Sequence, residues 1–186
     1  MSYNCDNYNC GDDIGDHELN TCSEELRGGG SSVIFFECNT EITDYTSSAQ
    51  ILAEIAAGRA NLFSNVKIGI DAGSPITADA LQACSTQTLI SYDRTFSLID
   101  ANVNSNNTDL YNTLFAGRKF GSALIYICGT TDADAGAKTI LIDSEVKGTG
   151  SLIVPNTDQE SMRFEGSFSW RKKAGPLLLD APTGVF

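Results

Sequence analysis

Four side chains near the start of the chain have the chemistry of a metal site. Cys5, Cys10, His17 and Cys22 are of the types that bind zinc, in the order of a zinc knuckle. Structural zinc sites bring their ligands in pairs about two to four residues apart, whereas these gaps are wider. The segment also lacks the aromatic and basic residues of a nucleic-acid knuckle. Free thiols in an extended arm, or cysteines buried against a neighbour, account for the same residues. His17 is the only histidine, so a histidine-based triad would have to stand in a segment that precedes a glycine run, and catalytic groups need a rigid shell. Asp132 and Asp134 before Gly136 resemble the start of a calcium loop, but the third acidic ligand and the terminal glutamate are absent, and a hairpin turn explains them. There is no GxxxxGK[ST], GxGxxG or HExxH, and Gly28-Gly29-Gly30-Ser31-Ser32 lacks the lysine and strand context of a phosphate loop. The sequence therefore predicts no enzyme, no catalytic residue and no cofactor, with zinc on the Cys/His set as the one cofactor candidate.

The balance of charge excludes more. With 12 basic and 24 acidic residues the formal charge is −12, which argues against a surface that grips nucleic acid through its phosphates. Seven of the acids (Asp6, Asp12, Asp13, Asp16, Glu18, Glu24 and Glu25) precede Arg27, so part of the imbalance belongs to the N-terminal arm. The start MSYNCDNYNCGDD has neither a basic nor an apolar signal region, and cytoplasmic synthesis with reduced thiols is the expectation for the six cysteines. Cys128 reads as a small core residue inside an apolar strand. The longest apolar runs fall far short of the roughly 20 residues of a membrane span, so no membrane partner is expected. A length of 186 residues and 41% hydrophobic content suit one domain with a real core.

The elements that must position these residues follow from periodicity. SVIFFE, apolar on both faces, reads as a central strand, and TDYTSSAQILAEIAAGR as a helix with Ser47 and Gln50 as a capping box and Gly58 as its stop. NVKIGI is a strand and GSPITADALQA a connection. QTLISYDRTFSLID is a long strand with Ile90, Tyr92, Phe96 and Leu98 on one side, interrupted there by Arg94. NTDLYNTLFAGR is a second helix ending at Gly117. GSALIYIC, KTILIDSEVK, GSLIVP and SMRFEGSFSW are strands joined by TTDADAGA, GTG and NTDQE. In the last, Met162, Phe164, Phe168 and Trp170 share one face with Gly166, and Arg163, Glu165, Ser167 and Ser169 the other. The fold class is α+β, mainly β, with two short helices, and so many strand edges must close within the subunit or be completed by neighbours.

The order from RTFSLIDANV through TDLYNTLFAGR, FGSALIYI, AKTILIDSEVKGTGSLIVP and NTDQE to MRFEGSFSWRKKAGPL resembles the tail tube proteins of tailed bacteriophages, over about Ile90 to Leu179. The GGxS opening, ITDYT and YDRTFSLIDANV are similar to ring or tail-tube-like virion proteins of crAss-like phages, while the cysteine-bearing arm departs from the usual tube pattern. The resemblance implies a tail-tube-like β-barrel or sandwich, with residues 1–30 as arm and glycine hinge, 31–180 as the β domain and 181–186 as a C-terminal tail. It implies a non-enzymatic virion protein of the phage tail, assembled in the bacterial host cytoplasm. The subunit would form a homo-oligomeric ring beside neighbouring tail or portal ring proteins, with DNA passing through an acidic lumen without specific binding. Arg171, Lys172 and Lys173 would then face an acidic patch on an adjoining subunit; three solvated charges at a strand end explain them equally. LLLDAPTGVF is too apolar to float free, and packs on its own domain or on a neighbour. Two other classes stand beside this reading: an adhesin, fibre or other surface-binding β domain, and a small hydrolase or metal enzyme using the arm.

Overall fold

The structure, a computed structural model, describes residues 30–78, 88–103, 111–112, 117–127, 137–156 and 162–186. Ten strands and one helix span them: β1 (Gly30–Phe36), α1 (Ser48–Ala56), β2 (Ala60–Ile70), β3 (Ser74–Ala78), β4 (Thr88–Asp100), β5 (Lys119–Phe120), β6 (Ser122–Ile127), β7 (Lys138–Ile142), β8 (Val146–Ile153), β9 (Arg163–Lys172) and β10 (Leu177–Asp180). The mainly β composition expected from the alternating sequence is present, as one antiparallel sheet in the order β10-β7-β6-β1-β2-β4-β9-β8-β5, with β3 paired to β4. Of the second expected helix the described residues include Tyr111 and Asn112, which are helical, and Gly117 and Arg118, where Gly117 has the left-handed φ of 83° expected of its stop. No described helix is long and apolar enough to cross a membrane, which says nothing of a strand-built crossing.

Three kinks govern the sheet. β5 and β6 are separated by Gly121 alone, yet β5 pairs with β8 and β6 with β1. Gly121 donates its N–H to the Phe36 carbonyl at 2.8 Å, and a Cβ there would lie 3.1 Å from the Cys38 Cα, so any larger residue would push the two backbones apart by a few tenths of an ångström. Residues 143–145 divide β7, which pairs with β6 and β10, from β8, which pairs with β9 and β5. Residues 173–176 divide β9 from β10, and both run antiparallel to the β7–β8 ribbon.

The sheet is curled. Phe35 on β1 and Phe168 on β9 have ring centroids 4.7 Å apart, although their strands are three steps apart in the order, a separation of about 14 Å in a flat sheet. The concave side holds Phe35, Phe63, Phe96, Phe120, Phe164, Phe168 and Trp170 with Val33, Ile68, Leu98, Ile125 and Val146. A second apolar layer on the opposite side of β1 joins Ile34 and Phe36 to Ile51 of α1, Ala60, Leu124, Leu141 and Val185. β1 is therefore buried on both faces and central, as its unbroken apolar run requires. The C-terminal segment packs on its own chain: β10 pairs with β7, Val185 is buried, and Phe186 stacks on Tyr126 with centroids 4.7 Å apart.

Several sequence expectations need correction. Ser47 precedes α1 but makes no side-chain cap; Gln50 instead accepts from the Thr43 and Asp44 N–H groups, at 3.1 and 3.2 Å, and so fastens the entry loop. Gly58 does provide the left-handed stop, at φ 71°. The connection GSPITADALQA contains β3. Gly148-Thr149-Gly150 is not a turn but the middle of β8, where Gly148 faces Phe168 and Gly150 faces Gly166 across the ladder; glycine here marks close approach rather than a reversal. Met162 precedes β9 and is exposed, and Ile90 is exposed as well, while Phe164, Gly166, Phe168 and Trp170 are buried as their alternation predicts.

Candidate functional site

α1 and the C-terminal segment cover the convex side of β1, β2, β6 and β7. The convex side of β4, β9 and β8 is left open, and its residues alternate with the buried aromatics. Across these strands the register sets Thr95 beside Ser169 and Lys147, Ser97 beside Ser167 and Thr149, and Ile99 beside Glu165 and Ser151. The result is a face carrying six hydroxyl side chains in adjacent rows, with hollows lined by Ser97, Thr149, Ser151 and Ser167, and by Thr95, Lys147 and Ser169.

The charges on this face are mutually paired. Arg171 lies 3.2 Å from Asp93 and Arg163 2.6 Å from Glu165, while Glu145 is shared by two cations, 3.6 Å from Lys147 and 3.4 Å from Lys119, which stands opposite Lys147 on β5. Each pair is at least partly exposed, so its worth to stability is small, but a cation beside a carboxylate projects little net field. The acid excess of the whole chain is not concentrated here.

The two rims of the concave core carry buried charged groups from β4. At one, Arg94, 9% exposed, donates to the carbonyls of Lys172 and Ala174 at 2.8 and 3.2 Å and lies over the Tyr92 ring. It secures the backbone where β9 turns toward β10. At the other, the buried Tyr111 hydroxyl donates to Asp100 at 2.5 Å, and its ring stacks on Phe164. Burial, then the Asp100 carboxylate, pushes the Tyr111 phenol well above its ordinary value. Arg94 was visible in the sequence as a charge breaking an apolar alternation; the Tyr111 and Asp100 pairing carried no signal, since the two lie eleven positions apart and no local period links them.

The expected site residues fare differently. Arg171, Lys172 and Lys173 do not form one cluster. Arg171 faces Asp93 on the open face, and Lys172 donates to the Asp143 carbonyl and carboxylate at 2.7 and 3.1 Å. Lys173 is exposed beyond the end of β9. The carboxylates Asp93 and Asp143, from other strands, are the partners that sequence reading missed. Cys5, Cys10, His17, Cys22, Cys128, Asp132, Asp134 and Gly136 lie outside the described residues. Among the described residues, no group of three His, Cys, Asp or Glu side chains is placed to hold a metal ion. Comparison of the chain with protein-family models, curated proteins and solved structures finds no match.

Proposed function

We propose that this chain is a structural protein of a tailed-bacteriophage virion, a ring-forming tail subunit whose open strand face lines the passage for DNA. The observation that carries the reading is the hydroxyl-rich face of β4, β9 and β8, whose cations Lys147, Arg163 and Arg171 each stand beside a carboxylate. A conduit wall must be wetted by the polyanion without holding it, because every phosphate neutralised by a free cation adds a salt-sensitive grip. Hydroxyls and compensated charges meet that need, and they replace the strongly acidic wall that the net charge alone would suggest.

The register supports a barrel as the finer description of the sheet. Taking β5–β6, β7–β8 and β9–β10 as three kinked strands gives six lanes, with β5–β6 adjoining both β1 and the β7–β8 ribbon. Such a cycle has one wall under α1 and one wall free, the arrangement a ring subunit needs if its helix lies outside and its bare strands face the passage. The paired surface charges of the open face suit a structural role. Electron microscopy of the purified protein at rising concentration tests the reading: rings or short tubes with a central hole are the expected particles. A monomer or a compact trimer with affinity for a glycan or surface protein would replace it with the adhesin class.

A further inference from the structure

Among the described residues, edges of β10 and β8 lack a full ladder partner. β10 pairs with β7 along Leu177–Asp180 and has no second ladder partner among the described residues. Leu177 and Leu178, at 52% and 53% exposure, stand on that edge. β8 pairs with β9 along its whole length, but among the described residues its other side is met only at Val146 and Lys147, by β5, and at Gly148, whose N–H donates to the Arg118 carbonyl at 3.2 Å. From Thr149 to Leu152 its residues are exposed, with Leu152 at 40% and Val154 just beyond at 65%.

A bare, apolar, uncharged strand edge is a template for another strand, and proteins that must stay monomeric blunt such edges with lysine, proline or a bulge. β3 is blunted in this way, by Pro75 within the strand. β10 and the open part of β8 are not. Leu177 to Leu179 and Thr149 to Ile153 contain no charge and no proline; β10 ends on Asp180, whose carboxylate is held by Lys138 at 2.6 Å, and Pro176 and Pro155 stand just outside, where they bound a ladder of three to five residues without preventing it.

From this we infer that β10 of one copy pairs with the open edge of β8, Thr149–Ile153, of a second copy of the same chain. The two edges match in length, neither repels the other, and they belong to different strands, so each copy offers one donor edge and one acceptor edge. That makes the contact heterologous, and copies add head to tail until the rotation closes a ring. A partner of other chemistry would have to satisfy two separate edges of similar length and character, whereas one copy of this chain satisfies both. The inference rests on the ring reading above and names the strands that make the ring.

Leu178→Lys and Leu152→Lys test it in the full chain. Both side chains are exposed, so thermal melting should stay at the wild-type value while sedimentation velocity shows the association midpoint moved to concentrations at least about tenfold higher. Leu177→Lys and Ser151→Lys repeat the block on the same two edges should either first variant melt early. The decisive measurement is the mixture. Leu178→Lys copies keep an intact β8 and Leu152→Lys copies an intact β10, so the two should recover a one-to-one heterodimer that neither forms alone. Wild-type rings that all four variants form unchanged overturn the edge assignment and leave the ring reading standing. Loss of association in both variants without heterodimer recovery also overturns it, since the mixture still holds one intact β8 and one intact β10 that should pair; loss in one variant alone overturns it as well, since that marks an edge that meets its own copy. A wild type that stays monomeric, with no rings in micrographs, overturns the ring reading together with this inference.

Discussion

Phe168 meets Phe35, Phe96 and the floor of the curled sheet with ring centroids 4.7 and 4.9 Å from the first two, and it is fully buried. Six positions earlier in the same alternation, Met162 is 48% exposed. Phe168→Ala should therefore cost about 3–5 kcal/mol in denaturant unfolding, while Met162→Ala should stay within about 0.5 kcal/mol of wild type. Equal effects would mean that the strand faces are assigned backwards. Phe168→Glu should leave no folded protein, because a carboxylate would be buried among aromatic rings without a partner. Tyr111 gives a residue-scale test of a different kind. Its hydroxyl donates to the buried Asp100 carboxylate, so Tyr111→Phe keeps the stacking on Phe164 and removes a charge-assisted bond, at a cost of about 1.5–3 kcal/mol. The phenol also has a pKa raised above its ordinary 10.0 in the folded chain. Stability from this shift is complete below pH 10 and declines as the pH rises further, because the unfolded chain then loses a proton that the folded chain retains. In an alkaline titration of tyrosinate absorbance, the tyrosine protons withheld by the folded wild type relative to its unfolded chain should fall by one in Tyr111→Phe.

α1 depends on a contact that its own sequence partly announces. Ile51 and Ile55 give the helix its apolar stripe, and Gly58 its exit. Glu54, however, is also turned inward, and it holds Arg59 at the start of β2 through two bonds of 2.6 and 2.7 Å. The bond to the Arg59 guanidinium lowers the Glu54 pKa from its usual 4.5. The sign follows directly: a carboxyl depressed on folding stabilises above its unfolded pKa, and that contribution is lost as the pH falls through the folded value. Wild type should thus exceed Glu54→Gln in melting temperature at neutral pH, and the gap should close on acidification below pH 4.5. A constant gap would show that the ion pair is not what ties helix to strand. The same helix shows what could be read from the chain and what could not. Its stripe and stop are local properties, legible in a dozen residues, as are the two-faced β1 and the buried side of β9. The errors came where local chemistry is ambiguous. Gly148 and Gly150 read as a turn because glycine serves both reversals and close strand packing, and only the positions of Phe168 and Gly166 on the next strand decide between them. β3 lay hidden because Ser-Pro-Ile-Thr has strand character only when β4 runs beside it. The open hydroxyl face was legible as the polar side of β9 alone; its completion by β4 and β8 depends on a register that no short window contains.

The whole molecule combines a charge of −12 with an open face on which acids and bases are nearly matched, and the two facts bear differently on DNA. Overall negative charge keeps a polyanion at a distance, but its reach is limited to about 8–10 Å at ordinary ionic strength; within a narrow passage, the groups on the wall itself decide whether DNA is held. On the open face Asp93 and Glu165 compensate Arg171 and Arg163, Glu145 stands between Lys147 and Lys119, and the remaining positions are largely hydroxyls; if that face is the wall of the proposed passage, these are the groups DNA would meet. Wild type should consequently show almost no salt-dependent affinity for a short duplex in fluorescence anisotropy. Ser167→Lys combined with Ser169→Lys places two uncompensated cations on adjacent outward positions of β9, where each side chain can extend into solvent without disturbing the buried aromatics. Two phosphate contacts per subunit should appear as a slope of about −1.8 in the logarithm of affinity against the logarithm of salt concentration, from roughly −0.9 per neutralised phosphate. The same two lysines placed on the covered side, where α1 and the C-terminal segment already lie, would unfold the chain rather than bind DNA. A steep slope already present in wild type would mean that the compensated cations do grip phosphates, and the face would then be a binding surface instead of a wall built for passage.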